Sequence, residues 1–165
     1  MTFPQSVGAG IRHELCPHRI LSLDLVWYDW SSAFDTLGLE LSSSSNPFFP
    51  PLNEQVPLRW RDSLSTRLGY EMKFENDRAL RFGYVYHRIP MRAGTMTPYI
   101  PAALEHGVTT GYGFKCFAWN LDLSYMFSWG PRVETNTSEF VGGDFDNSVN
   151  IDRVHALTIT LMRTW

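Results

Sequence analysis

From Arg59 to Lys73 the chain alternates with a period of two. The even positions carry Trp60, Asp62, Leu64, Thr66, Leu68, Tyr70 and Met72, and the odd ones Arg59, Arg61, Ser63, Ser65, Arg67, Gly69, Glu71 and Lys73. One face is mostly apolar and the other charged or tiny, so a β-strand between two different environments is expected. At about fifteen residues the segment exceeds the ~5–6 of a usual globular strand. A tilted strand needs only ~9–11 residues to cross a membrane.

The alternation recurs along the chain. Further strands are expected at roughly Ser6–His13, Arg19–Trp30, Arg78–His87, His106–Cys116, Trp119–Trp129 and Arg153–Trp165, about seven in all. In the sixth, Leu121, Leu123, Tyr125 and Phe127 oppose Asn120, Asp122, Ser124 and Ser128. The connectors alternate in length. Glu14–His18, Phe74–Asp77 and Phe117–Ala118 are short, whereas Ser31–Leu58, Arg88–Glu105 and Gly130–Asp152 are long. Serines at 42–45, the prolines at 47, 50 and 51 and the Gly142-Gly143 pair have loop chemistry. All the long loops therefore fall at one end, the asymmetry of an outer-membrane barrel. The expected fold is all-β: an antiparallel transmembrane β-barrel segment in an up-and-down meander.

Aromatic residues gather at the strand ends. Trp27, Trp30, Trp60 and Trp129 fall towards the long loops, and Trp119 and Trp165 towards the short turns. Amphipathic rings favour the headgroup level, so two girdles are expected. The competing arrangement is aromatic packing inside a soluble sandwich, whose strands seldom run so long. The last apolar positions, Leu157, Ile159, Leu161 and Trp165, alternate and finish on an aromatic residue.

Composition refines this picture. The chain has 165 residues, 44% hydrophobic, 15% aromatic and 19% charged, with net charge −3. The overall charge offers no case for nucleic acid as a partner. No stretch approaches the ~20 apolar residues of a membrane helix, and a barrel strand hides its membrane signal in alternation. Cys16 and Cys116 are separated by several strands and do not read as a disulfide. Met1–Gly10 lacks a basic region followed by an apolar core, so no secretory leader is read there. An open seven-stranded sheet would leave unpaired edges in lipid at several kcal/mol per group. The chain is therefore expected to be a fragment or to pair with another chain.

Three segments in order resemble the FadL/TodX family of outer-membrane long-chain fatty acid transporters. They are LDLVWYDWSSAFDTL at Leu23–Leu37, RDSLSTRLGYEMKF with ALRFGYVYHRIP inside Trp60–Pro90, and PYIPAALEHGVTTGYGF with LDLSYMFSW inside Pro98–Trp129. Phe3-Pro4-Gln5-Ser6 before a Gly-rich strand fits the same pattern. The resemblance implies a barrel of about fourteen strands with an N-terminal plug. Residues 1–165 would be the C-terminal half, without the plug and first strands. It also implies passive uptake of long-chain fatty acids or other hydrophobic compounds such as aromatic hydrocarbons. The implied location is the bacterial outer membrane, with its lipids and the barrel-assembly machinery as partners. The family usually has an acidic pair after the second loop proline. Here Ala102, Ala103 and Leu104 follow Pro101, and only Glu105 is acidic.

Such transport needs no catalytic group, metal or cofactor. A fatty acid needs an apolar path and a cation for its carboxylate. The inward face offers Arg61, Arg67, Lys73, Arg81 and Lys115, and Arg67 and Arg81, mid-strand on neighbouring strands, are the candidates for carboxylate contact. The alternative is that these cations neutralise Glu71, Asp24 and Asp122 in a polar lumen. In the loops Phe34, Leu37, Leu39, Leu41, Phe48, Phe49 and Leu52 could capture a hydrophobic ligand, or pack the loops on one another. Inward Gly83, Gly107, Gly111 and Gly113 leave room or permit curvature. Two other functions are weighed: a soluble lipocalin-like barrel with apolar faces inward, and an outer-membrane hydrolase using Asp29, Asp35, His106 and His155. His13, Cys16 and His18 offer no fourth ligand for zinc.

Overall fold

The computed structural model describes residues 3–41, 52–96, 103–140, 143 and 145–163. In chain order its strands are β1 (Ser6–Cys16), β2 (Arg19–Tyr28), β3 (Thr36–Leu41), β4 (Leu52–Pro57), β5 (Ser63–Phe74), β6 (Arg78–His87), β7 (His106–Cys116), β8 (Trp119–Trp129), β9 (Val133–Thr135), β10 (Ser148–Asn150) and β11 (Arg153–Arg163). A helical turn, α1, spans Trp30–Ala33 and a 3-10 turn spans Ala93–Thr95. Seven long strands form one open sheet in the order β1-β2-β5-β6-β7-β8-β11. Every neighbouring pair is antiparallel. This is the meander expected from the alternation.

The short turns are tight because their residues accept left-handed backbone. His18 (φ 74°), Asn76 (62°), Asp77 (54°) and Phe117 (56°) occupy them. Asn and Asp adopt this region at lower cost than most side chains. The long connectors carry structure of their own: hairpins β3–β4 and β9–β10 form separate two-stranded sheets.

Three expected strands change their bounds, the first running on to Cys16 rather than His13. The third wall strand begins at Ser63 rather than Arg59 and runs to Phe74. Arg59 has φ 45° and breaks the extended backbone. The preceding segment is tied to the first long loop: Leu58 and Arg59 N–H both donate to the Asp35 carbonyl (2.8 and 2.9 Å), and Trp60 N–H to Phe34 (3.0 Å). The second strand ends at Tyr28, and Asp29 caps α1 by accepting from Ser32 N–H (3.3 Å). Trp30 and Trp60 therefore leave the expected girdle. With Phe34 they form a stacked and edge-to-face cluster at centroid distances of 4.8–5.3 Å.

That cluster belongs to the one buried core among the described residues, which lies in the long loops. Leu58, Trp60, Ile89, Met91, Met96 and Ala103 are buried, and Trp30, Phe34, Leu37, Val56 and Val133 pack against them. Thr95 Oγ1 donates to the Leu58 carbonyl and Thr135 Oγ1 to Ala93, each at 2.8 Å. A Cβ on Gly130 would collide with the Ala103 backbone, so that strand end needs glycine.

Among the described residues the wall strands hold no part of that core. Their large side chains point away from the loops' core and lie exposed: Leu157 is 74% exposed, Ile159 63% and Leu161 57%. Moving such side chains from water into an apolar medium is worth about 1.5–3 kcal/mol each.

Candidate functional site

The register assembles the polar face into rows. One row reads Glu14, Ile20, Glu71, Arg81, Gly111, Ser124, Thr158 from β1 to β11. The next reads Arg12, Ser22, Gly69, Gly83, Thr109, Met126, Ala156. A concave trough of about 670 Å³ lies mainly on this face, with Arg12, Ser22, Glu71, Arg81, Asp122 and Thr158 along it. The concave side is thus the polar one, opposite to a lipocalin-type barrel.

Arg81 sits at the centre of the charges. Its Nε lies 2.7 Å from Glu71 Oε2 on β5, and a terminal nitrogen 2.6 Å from Asp122 Oδ1 on β8. The second contact crosses β7. It does so above Gly113, where a Cβ would stand 3.0 Å from the Arg81 guanidinium and collide with the Asp122 carboxylate. Glycine there makes room for a bridge between β6 and β8. Arg12 and Lys73 approach Glu71 at 3.7 and 3.9 Å. Lys115 lies 3.9 Å from Asp77.

Arg67 differs. It is opposite Asp24 and Val85 in the register, yet has no ion-pair partner among the described residues. It lies four residues from Glu71 on the same face of β5, about 13 Å up the strand. Arg61, expected on the inward strand face, lies before β5 instead. It is held in the loops, with N–H to the Pro90 carbonyl (2.8 Å) and a guanidinium nitrogen to the Met91 carbonyl (3.3 Å). The reason is the same turn at Arg59, after which the strand begins only at Ser63.

Of the loop residues, Phe34 and Leu37 are half-buried against the loop core, Phe34 stacked on Trp60 at 4.8 Å. Phe48 and Phe49 lie outside the described residues, as do the side chains of Leu39, Leu41 and Leu52. The sequence reading missed the polar atoms in this region. Trp30 Nε1, Trp60 Nε1 and Ser63 Oγ are buried with no acceptor or donor among the described residues. Each such group costs about 1–3 kcal/mol until satisfied.

The hydrolase residues are not drawn together. Asp29 caps α1, whereas His106 and His155 lie on the outward face against Tyr84 and Tyr125.

A family model described as "Outer membrane protein transport protein (OMPP1/FadL/TodX)" matches residues 1–160. No curated protein matches the chain significantly. Several solved structures share its fold. The TodX deltaS2S3 mutant monoaromatic hydrocarbon channel superposes with a TM-score of 0.75 at 21% identity, over 99% of this chain and 36% of that one. The Pseudomonas putida toluene transporter TodX gives 0.63 at 20%, over 94% and 32%. A Pseudomonas aeruginosa FadL homologue gives 0.66 at 18%, over 96% and 34%. The chain thus spans about a third of the length of each of these structures.

Proposed function

Because this chain belongs to the OMPP1/FadL/TodX family of outer membrane transport proteins, we propose that it forms part of the wall of an outer-membrane β-barrel that passively admits hydrophobic compounds. The observation that carries this is the division of the wall into two faces. The outward one is apolar, with Leu157, Ile159 and Leu161 exposed. The inward one is small, polar and concave. In lipid the first face is solvated by acyl chains while the second lines an aqueous or ligand-filled lumen. The wall is read as the C-terminal half of a barrel of about fourteen strands, closed by strands beyond β1 and β11. Assembly through the barrel-assembly machinery would engage the alternating apolar positions of β11.

The substrate assignment is a long-chain fatty acid, and Arg67 is its carboxylate contact. Arg81 is already committed to Glu71 and Asp122, whereas Arg67 is not paired among the described residues. A carboxylate reaching Arg67 would gain a charge-assisted bond without breaking another. Trp60 is buried in the loop core, so first contact falls to the half-buried Phe34 and Leu37 packed against it.

Uptake of a labelled long-chain fatty acid and of toluene, measured side by side, tests this. Arg67→Leu should lower fatty acid uptake roughly tenfold and leave toluene uptake unchanged. Unchanged fatty acid uptake, or equal loss of both, would reject Arg67 as the carboxylate contact.

A further inference from the structure

The outward face carries, at its long-loop end, a cluster that transport does not use. Tyr84 Oη lies 2.7 Å from His106 Nδ1, and Tyr125 Oη 2.7 Å from His155 Nδ1. The first pair joins β6 to β7 and the second joins β8 to β11. Each imidazole also lies against an aromatic ring: His106 stacks on Trp129 (5.4 Å, 25°), and His155 meets Phe127 at 4.7 Å. The register puts His106, Trp129 and Arg153 in one row and Phe127 and His155 in the next.

Beside these rings is a cleft of about 360 Å³ walled by Phe127, Trp129 and Ile151 and flanked by Arg132 and Arg153. Arg132 is held by Glu134 at 2.9 Å. Arg153 has no ion-pair partner among the described residues. Glu105, next to His106 in the chain, accepts from Tyr86 Oη at 3.2 Å. The cleft therefore offers one guanidinium without an ion-pair partner among the described residues, framed by aromatic walls, with two imidazoles beside those walls on β7 and β11.

Its height on the wall follows from the register. Arg153 and Arg163 are ten residues apart on β11, as are Trp119 and Trp129 on β8, and the two strands pair these ends with each other. Between them the outward positions of β11 beyond His155 are Leu157, Ile159 and Leu161. Ten residues at ~3.4 Å each, tilted by about 40°, give about 26 Å, the height of the apolar band of a membrane barrel. Arg153 and Trp129 thus stand at the upper edge of that band, at the headgroup level.

We propose that this outward cleft binds the phosphate of a lipid headgroup in the leaflet at the long-loop end. The inference rests on the membrane placement proposed above. Each Tyr–His contact uses Nδ1 and leaves Nε2 outside that bond. The planar Arg153 guanidinium in the cleft, with the His106 and His155 rings beside it, suits a ligand with several acceptor oxygens and negative charge. Trp129 and Tyr125 suit the same depth, where amphipathic rings accumulate.

The test uses the full chain, first floated with phosphatidylcholine vesicles. Failure to float would overturn the membrane placement and the headgroup site with it. Lipid retention is then measured by native mass spectrometry after detergent release, with phosphatidic acid and phosphatidylcholine of equal chain length supplied together. The wild type should retain phosphatidic acid preferentially. Arg153→Gln should cut that preference about fivefold, Arg153→Lys less, and His155→Asn by an intermediate amount. Arg163→Gln, at the opposite rim, should not change it. Inorganic phosphate at the same concentration should not compete. No preference in the wild type, an equal effect of Arg163→Gln, retention unchanged by Arg153→Gln, or full competition by inorganic phosphate would each overturn the proposal. If Arg153→Gln loses its strand signal in circular dichroism, the His155→Asn comparison decides.

Discussion

Arg81 holds two carboxylates on strands either side of it, Glu71 at 2.7 Å and Asp122 at 2.6 Å. All three side chains are partly exposed, so solvent screens each bond and the contribution is modest. A double-mutant cycle of Arg81→Leu with Asp122→Leu, read from urea unfolding in detergent, should give a coupling energy of about 0.5–1 kcal/mol. A coupling indistinguishable from zero would mean that the bridge across β7 is not formed. Gly113→Ala should weaken the same coupling, because its methyl group occupies the space the guanidinium crosses. The inward phase of Arg81, Glu71 and Asp122 was legible in the alternation, since phase depends only on period. Which cation meets which acid was not. Pairing follows from register and from the room left by a glycine on a third strand. Arg67 and Arg81 look equivalent in sequence, yet only Arg81 is paired among the described residues.

The elements show where periodicity misleads. Trp60 falls in phase with Leu64 and Leu68, so alternation extends the strand back to Arg59. The backbone instead turns at Arg59 and delivers Trp60 to the loop core, where it is 8% exposed. The signal lay in tertiary contacts of Trp60 with Phe34 and Trp30, which no local pattern encodes. Trp60→Ala should therefore destabilise the loop cap by about 3–5 kcal/mol while sparing the wall. Limited proteolysis would show it as faster cleavage within the long loops with the β5–β8 segment still protected. Cleavage spread evenly over wall and loops would show instead that Trp60 supports the sheet. The wall strands themselves were legible in order and phase because their faces meet two different environments, although the first runs on to Cys16 and the third starts only at Ser63. The hairpins β3–β4 and β9–β10 were hidden by loop-like composition.

At the scale of the whole molecule, the open sheet governs behaviour. β1 and β11 are its edges, and six antiparallel pairings separate them, so both run in the same direction. A second copy with its loops on the same side would bring β1 beside β11 in parallel, unlike every other pair in the wall. Edges of this kind template association. Without detergent the chain should aggregate at micromolar concentration, visible by sedimentation as a broad distribution rather than a discrete dimer. In the proposed membrane placement the apolar face meets lipid and the polar face does not. Spin labels placed singly at each position of β7 from His106 to Cys116, after replacing Cys16 and Cys116 with serine, test this most directly in vesicles. Labels at Val108, Thr110, Tyr112 and Phe114 should be accessible to oxygen, and labels at Thr109, Gly111, Gly113 and Lys115 to a water-soluble nickel complex. The reverse phase, or accessibility without a period of two, would contradict that placement.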